Sequence, residues 1–307
     1  MPETTSAPIG DRNGFEQPSS LRFAASWLAL REMLDHEARN RSLPQALADR
    51  LPDEPRLVDL GSGTGSLFRF MAPIIGRSQS WILADFDGSL LNIAMDRIAA
   101  WGARRGFTGN RSDRSGQSGL VLITPLGRWR VETLVTDLQE APYGLPLGGV
   151  DAVACSALLD LTSWAWMERL IAALCTPFYA SMTVDGRDLW LPRHPGDRAV
   201  RAAFQHDQRR DKGLGPALGN DAPDAALQLL AARRFEIHAA ESDWRIPRTP
   251  PSIAGRFVRM TGRSAHRAAP AQAKEITAWT RTRLRQAQKE QLSIRIGHRD
   301  ILAFPQA

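Results

Sequence analysis

Residues 57–66 read Leu-Val-Asp-Leu-Gly-Ser-Gly-Thr-Gly-Ser, and the reading of the chain turns on them. Leu57 and Val58 finish a short apolar run that follows the Pro55 break, Asp59 closes it, and Gly61, Gly63 and Gly65 come at alternate positions. Leu67, Phe68, Phe70 and Met71 then recur at helical spacing. The pattern predicts a buried strand, a glycine turn and a helix start. Glycine suits backbone that must take positive φ or lie against a ligand. The turn is expected to aim free N–H groups at whatever sits over the helix N-terminus.

Two details separate this turn from a dinucleotide fingerprint. The spacing is G-x-G-x-G with an acid two residues ahead, whereas the fingerprint is G-x-G-x-x-G. Trp81 to Ala84 reads as the next strand, and Asp85 ends it 20 residues after Gly65. An acid there suits two hydrogen bonds from ribose hydroxyls. Together V-D-L-G-S-G-T-G-S and L-A-D-F-D-G-S-L-L-N-I-A resemble motifs I and II of the class I S-adenosylmethionine-dependent methyltransferases. The resemblance implies an α/β fold with a doubly wound, seven-stranded, mostly parallel sheet (Rossmann-like) in the order 3-2-1-4-5-7-6. It implies S-adenosyl-L-methionine as cofactor, bound by Asp59, Gly61, Ser62, Gly63, Thr64, Gly65, Asp85 and Phe86. A looser similarity to bacterial methyltransferase-like proteins without an assigned substrate is carried by Trp27–Arg39 and Arg209–Gly219.

Taken in order, residues 1–20 read as a mobile tail and 21–307 as a single domain. Helices at 21–39 and 44–51 form an N-terminal cover over 21–54, with Arg31, Asp35 and Arg39 as candidates to face the site. The cofactor-binding core is 55–184, with a helix at 88–101 and an Arg-, Ser- and Gly-rich stretch at 103–119 that reads as a long mobile loop. Val121–Thr124 and Trp129–Val135 alternate as strands, and the second ends at Asp137-Leu138. The resemblance implies that Asp137 meets the adenine amino group beside Leu138. Val150–Cys155 is a fourth core strand, opening on Ser156-Ala157-Leu158-Leu159-Asp160, in the position of motif IV. Ser156 is a candidate cofactor contact and Asp160 a candidate substrate contact. The segment lacks the N-P-P-Y or D-P-P-Y of amide- and adenine-methylating relatives.

A helix at 162–174 and a fifth strand at Phe178–Val184 follow. Residues 185–222 read as a substrate-side insertion after strand five, dense in ionisable groups. Within it His194, His206 and Asp211 are the expected catalytic bases. Arg193, Arg209 and Lys212, with Arg31, Asp35 and Asp160, are the expected substrate contacts. Residues 223–307 supply a helix, a sixth strand at Phe235–Ala240, an Arg-rich helix near 270–290 and a closing strand broken at Gly297–Asp300.

Composition bounds the rest. Residues 256–299 hold eleven Lys or Arg against two acids, so the net +6 is local and the remainder is slightly acidic. No RNA-binding module accompanies that basic segment, which argues against a nucleic-acid partner. No apolar run spans a membrane, no metal-ligand cluster is visible, and the two cysteines read as reduced. The expectation is a cytoplasmic enzyme acting on a small polar metabolite or natural-product intermediate by SN2 methyl transfer. The alternatives are an RNA methyltransferase using 256–299 and a non-catalytic cofactor-binding module.

Overall fold

In the structure, a computed structural model, residues 25–114 and 117–306 are described. The expected tail and the first residues of the expected 21–39 helix lie outside them. Strands β1 (Arg56–Leu60), β2 (Gln79–Asp85), β5 (Gly127–Val135), β6 (Ala152–Ser156) and β7 (Phe178–Leu191) pair in parallel as β5-β2-β1-β6-β7. Beyond β7, strand β10 (Ser293–Pro305) runs antiparallel and pairs in turn with β8 (Phe235–Glu241). These seven reproduce the order 3-2-1-4-5-7-6.

Among the described residues three further strands join the sheet, of which one was expected in part, at Val121–Thr124. The stretch at 103–119 is not a loop: β3 (Thr108–Arg114) and β4 (Gln117–Thr124) form a hairpin that extends the sheet past β5. Short β9 (Trp244–Ile246) pairs with the start of β10.

Helices cover both faces because the core strands are apolar on both. Leu57, Trp81 and Leu83 join α2 (Ser42–Arg50), α3 (Ser66–Ile75) and α4 (Gly88–Ala103) in one core. Val58, Leu60, Ile82 and Ala84 face the other way, onto α5 (Trp164–Ala173) and α7 (Ala222–Ala232).

A third core lies beyond the strand ends, and its cause is the length of β7. Strand β6 stops at Ser156, opposite Ser181, whereas β7 runs ten residues further to Leu191. At about 3.3 Å per residue that is roughly 30 Å of extra strand. The expected insertion therefore begins as ladder, with Asp188 to Leu191 paired to β10, and only then turns into α6 (Asp197–Gln208). Helices α1 (Ala25–Ala38), α6, α8 (Pro251–Ala268) and α9 (Ala273–Gln288) pack around this extension through Leu34, Trp190, Val200, Trp244, Phe257 and Trp279.

Helix α9, the expected Arg-rich helix, buries Ile276 and Trp279, and one of its arginines with them. Arg283 is 0 % exposed. It donates to both oxygens of Asp197 at 2.5 and 2.7 Å and to the carbonyl of Pro192 at 2.6 Å. Burial is tolerated because the charge is paired and hydrogen-bonded.

Candidate active site

A cavity of about 470 Å³ lies between the carboxyl ends of the parallel strands and this helical cap. Its lower wall is the glycine turn. Gly61 and Gly63 take φ of +66° and +52°, where a side chain is strained. A Cβ on Gly61 would also press on Leu158, and one on Gly63 on Leu28 of α1. The N–H groups of the turn do not all point outward as expected. Gly61 and Ser62 donate to the Ala84 carbonyl, Gly65 to Ser62, and Gly63 to Asp85 Oδ2 at 2.8 Å. Much of the turn's donor capacity is thus spent on welding it to the end of β2.

Asp85 lines the cavity and accepts from the N–H groups of Gly63 and Asp87, leaving lone pairs free for further donors. Burial raises its proton affinity, against those two bonds. Phe86, Asp137 and Leu138 continue this wall, with Asp137 also capping the next turn by accepting from the Gln139 N–H at 2.9 Å. Asp59 is 1 % exposed, and its Oδ2 has no hydrogen-bond partner. Burial, with Asp85 nearby, pushes its carboxyl up to about 8 although Arg39 opposes the shift.

Helix α1 closes this half from above. Glu32 pairs with Arg69 of α3, and Arg69 in turn donates to the Thr64 carbonyl at 2.8 Å. Arg39 bridges Ser66 at the start of α3 and Ser156 at the end of β6, at 3.2 and 2.8 Å. Arg31 and Asp35 pair at 3.0 Å, and Trp244 Nε1 donates to Asp35 at 2.9 Å. Although burial works against it, the two arginines hold Asp35 below the usual carboxylate range.

The upper half is walled by the cap. Asp160 and Lys212 line it, as do Asp188 and Trp190 of β7, Arg201 and Asp207 of α6, and Arg267 of α8. The other expected positions sit elsewhere. His194 lies ahead of α6, where its Nδ1 accepts the Gly196 N–H at 3.0 Å. His206 points out from the exposed side of α6, and Arg193 is exposed before that helix. Asp211 is exposed and caps the Gly213 turn at 2.7 Å. Arg209 is spent on Asp221 at 2.8 Å. Gly65 caps α3 with φ +74° rather than facing the cavity. The turn ahead of Gly213 directs Lys212 inward and Asp211 outward.

Sequence reading passed over His298, which lines the cavity at 1 % exposure with its ring 4.6 Å from Trp244. Its signal was the polar break in the closing strand. That break is two register shifts in β10, between Ile296 and His298 and between Arg299 and Ile301. Asp300, beside them, accepts from Asn40 N, Met182 N and Ser242 Oγ, tying three segments together. Among the described residues no cluster of ionisable side chains is arranged to hold a metal, and no helix is long and apolar enough to cross a membrane.

No family model and no curated protein matches the chain. Solved structures do. A cyclopropane-fatty-acyl-phospholipid synthase-like protein from Lactobacillus casei is 16% identical over 92% of this chain and 94% of its own, with a TM-score of 0.49. A SAM-dependent methyltransferase from Thiobacillus denitrificans, in complex with S-adenosyl-L-homocysteine, is 17% identical over 92% and 99%, at 0.41. A SAM-dependent O-methyltransferase from Thermotoga maritima is 16% identical over 67% of this chain, which spans 54% of that protein, at 0.38. These likenesses are distant, and the strand order speaks more directly. With β5-β2-β1-β6-β7 parallel, β10 antiparallel beside β7, and β8 at the edge, the chain has the Rossmann-like fold of the class I methyltransferases.

Proposed function

We propose that the protein binds S-adenosyl-L-methionine and transfers its methyl group to a small metabolite or natural-product intermediate held under the helical cap. The observation that carries this reading is Asp59. A buried carboxyl with an unpartnered oxygen, facing a cavity, calls for a cationic or hydrogen-bonding ligand. The ammonium and sulfonium of the cofactor have that charge. Asp85 offers carboxylate lone pairs to ribose hydroxyls, Phe86 and Leu138 offer apolar surface to a base, Asp137 an acceptor for its amino group, and Ser156 a hydroxyl at the strand end. When bound, the cofactor supplies an electrophilic methyl group. This chain's own part is to align the acceptor and keep water out, which the cap over the strand ends suits. Of the ionisable groups expected in the insertion, Lys212 is the one placed to act there, with Asp160 opposite.

Isothermal calorimetry with S-adenosylmethionine and with NAD tests the reading, with micromolar affinity expected for the first and none for the second. Asp85→Ala is expected to weaken S-adenosylmethionine by about 10- to 150-fold, the equivalent of roughly 1.5–3 kcal/mol for hydrogen bonds to a charged group. Unchanged affinity in a folded variant would remove Asp85 from the site.

An RNA acceptor is not favoured. The reactive half lies beneath α1, α6 and α8, while Arg256, Arg259, Arg263, Arg281 and Arg285 face outward. RNA binding is therefore expected to be weak, sequence-blind and steeply salt-dependent. Tight binding of one RNA at physiological salt, with methyl transfer onto it, would sink this expectation.

A further inference from the structure

The upper half of the cavity is aromatic where a site for a polar metabolite would be hydrophilic. Trp27, Trp190, Phe204, Trp244, Phe257 and Met260 line it from α1, β7, α6, β9 and α8. Its guanidinium groups are already engaged. Arg267 and Arg210 share Asp207 at 2.6 and 2.7 Å, Arg201 is paired with Asp188, and Arg31 with Asp35 at 3.0 Å. A phosphate or carboxylate substrate would have to break such pairs and strand their acids, a costly exchange in a buried site. A polyol would lose its water against indole rings, with the amides of Gln205, Gln208 and Asn220 and the hydroxyls of Thr261 and Ser264 to replace only part of it.

Asp160 is different. It lies on the turn after β6, at the strand end where doubly wound folds gather ligands, and its Oδ1 is enclosed without a partner. Lys212, its electrostatic neighbour, donates to the Gln208 carbonyl at 2.6 Å. The positive charge of Lys212 disfavours a cationic amine at Asp160 and favours an oxygen that becomes negative. A carboxylate can remove the proton of a phenol, with a pKa near 10, far more readily than that of a hydroxyl as weakly acidic as water, at about 15.7.

We propose that the methyl acceptor is a planar aromatic molecule bearing a hydroxyl, stacked among the cap tryptophans with that hydroxyl donating to Asp160. The acceptor oxygen forms its bond to the methyl carbon as the carbon–sulfur bond breaks, with the electron pair left on sulfur and the hydroxyl proton passed to the Asp160 carboxylate. Burial raises the proton affinity of Asp160, which improves it as a base. The proposal rests on the methyltransferase reading and narrows its acceptor from a small metabolite to an aromatic one.

The test uses the full chain saturated with S-adenosylhomocysteine, titrated with 2-naphthol and, separately, with phosphocholine. Binding of 2-naphthol alone is expected, followed by quenching of tryptophan fluorescence. Asp160→Asn should keep S-adenosylhomocysteine affinity, which also certifies its fold, and weaken 2-naphthol by on the order of 10-fold. With S-adenosylmethionine, methyl incorporation into 2-naphthol should fall about 10²- to 10⁴-fold in that variant. Phosphocholine binding in place of 2-naphthol, absence of the methyl ether with the wild-type chain, or an Asn variant equal to wild type would each overturn the proposal. In all three the cofactor reading survives. Failure of S-adenosylhomocysteine to bind the wild-type chain removes both together.

Discussion

Asp59→Asn is expected to make the free protein more stable and its complex with S-adenosylmethionine weaker. The carboxyl is 1 % exposed with a partnerless oxygen, and its proton affinity is pushed up to about 8 by burial and by Asp85, against Arg39. In the unfolded chain the same group titrates near 3.8. Between those values the native state keeps a proton that the unfolded chain has shed, so stability falls as pH rises through the window and the full penalty is reached above pH 8. At about 1.36 kcal/mol per pH unit the bound at pH 7 is near 4 kcal/mol, and relaxation of the site brings the expected gain from the uncharged amide to roughly 2–4 kcal/mol. Urea unfolding at several pH values reads it. If the variant is no better relative to wild type at pH 8 than at pH 5, Asp59 does not carry the penalty.

The same substitution should weaken the cofactor about 10- to 150-fold, by removal of a charged partner. Binding gives an independent signature. At pH 7 the free wild-type site holds the proton, and pairing with a cationic ligand expels it. Calorimetry in buffers of different ionisation enthalpy should show release of on the order of one proton per ligand, absent in Asp59→Asn. Such a group is a poor choice for stability alone, and its position beneath the cavity is where strain of this kind serves binding.

The legible parts of this chain are those where local chemistry and tertiary role coincide. Residues 57–66 and Asp85 combine apolar runs, turn glycines and acids at strand ends, and Asp59, Gly61, Ser62, Gly63, Thr64, Ser66 and Asp85 among them share one wall of the cavity. Asp35, Asp160 and Lys212 also reach it, because helix faces and turn directions are short-range properties. The cap was less legible because its architecture depends on partners distant in sequence. The charged residues from Asp185 on read as the start of an insertion, yet Arg187 is satisfied by Asp185, Glu241 and Asp243 while the strand continues through it. The β3–β4 hairpin sits at the sheet edge with few apolar residues on β3, so no period of two announces it. Helix α8 starts after Pro250 and carries Gly255 and Gly262, which weaken its helical signal. Gly262 is needed because any side chain there would strike Thr280 of α9. His194 and His206 were attractive by residue type, but a lone histidine in a polar segment is as readily a turn cap or a solvated side chain, and the fold uses them so.

His298→Gln is expected to shift the pH dependence of stability in the opposite sense to Asp59→Asn. His298 sits at the β10 bulge against Trp244, and its pKa is lowered to about 4 by burial first and then by Arg31. Asp35 on α1, Asp185 on β7 and the Ile296 carbonyl pull the other way without prevailing. Unfolded, the imidazole titrates near 6.5. Between pH 6.5 and 4 the unfolded chain therefore takes up a proton that the native state refuses, and stability falls as pH falls. The two and a half units correspond to about 3 kcal/mol. The substituted amide has no such proton, so the variant, less stable at pH 7 through lost packing on the indole, should gain on wild type by about 3 kcal/mol on acidification to pH 4. Asp197 and Asp207, held below the usual carboxylate range against burial by Trp279 and Arg283 and by Arg267 and Arg210, withdraw their own contributions only below about pH 4 and do so in both chains, as does Asp35 apart from the small part that His298 adds to the pull of its arginines. Urea midpoints of the two chains compared at pH 7, 5.5 and 4 isolate the imidazole. A constant difference across that range would mean that His298 takes up its proton as readily in the native state as in the unfolded chain, and that burial does not lower its pKa.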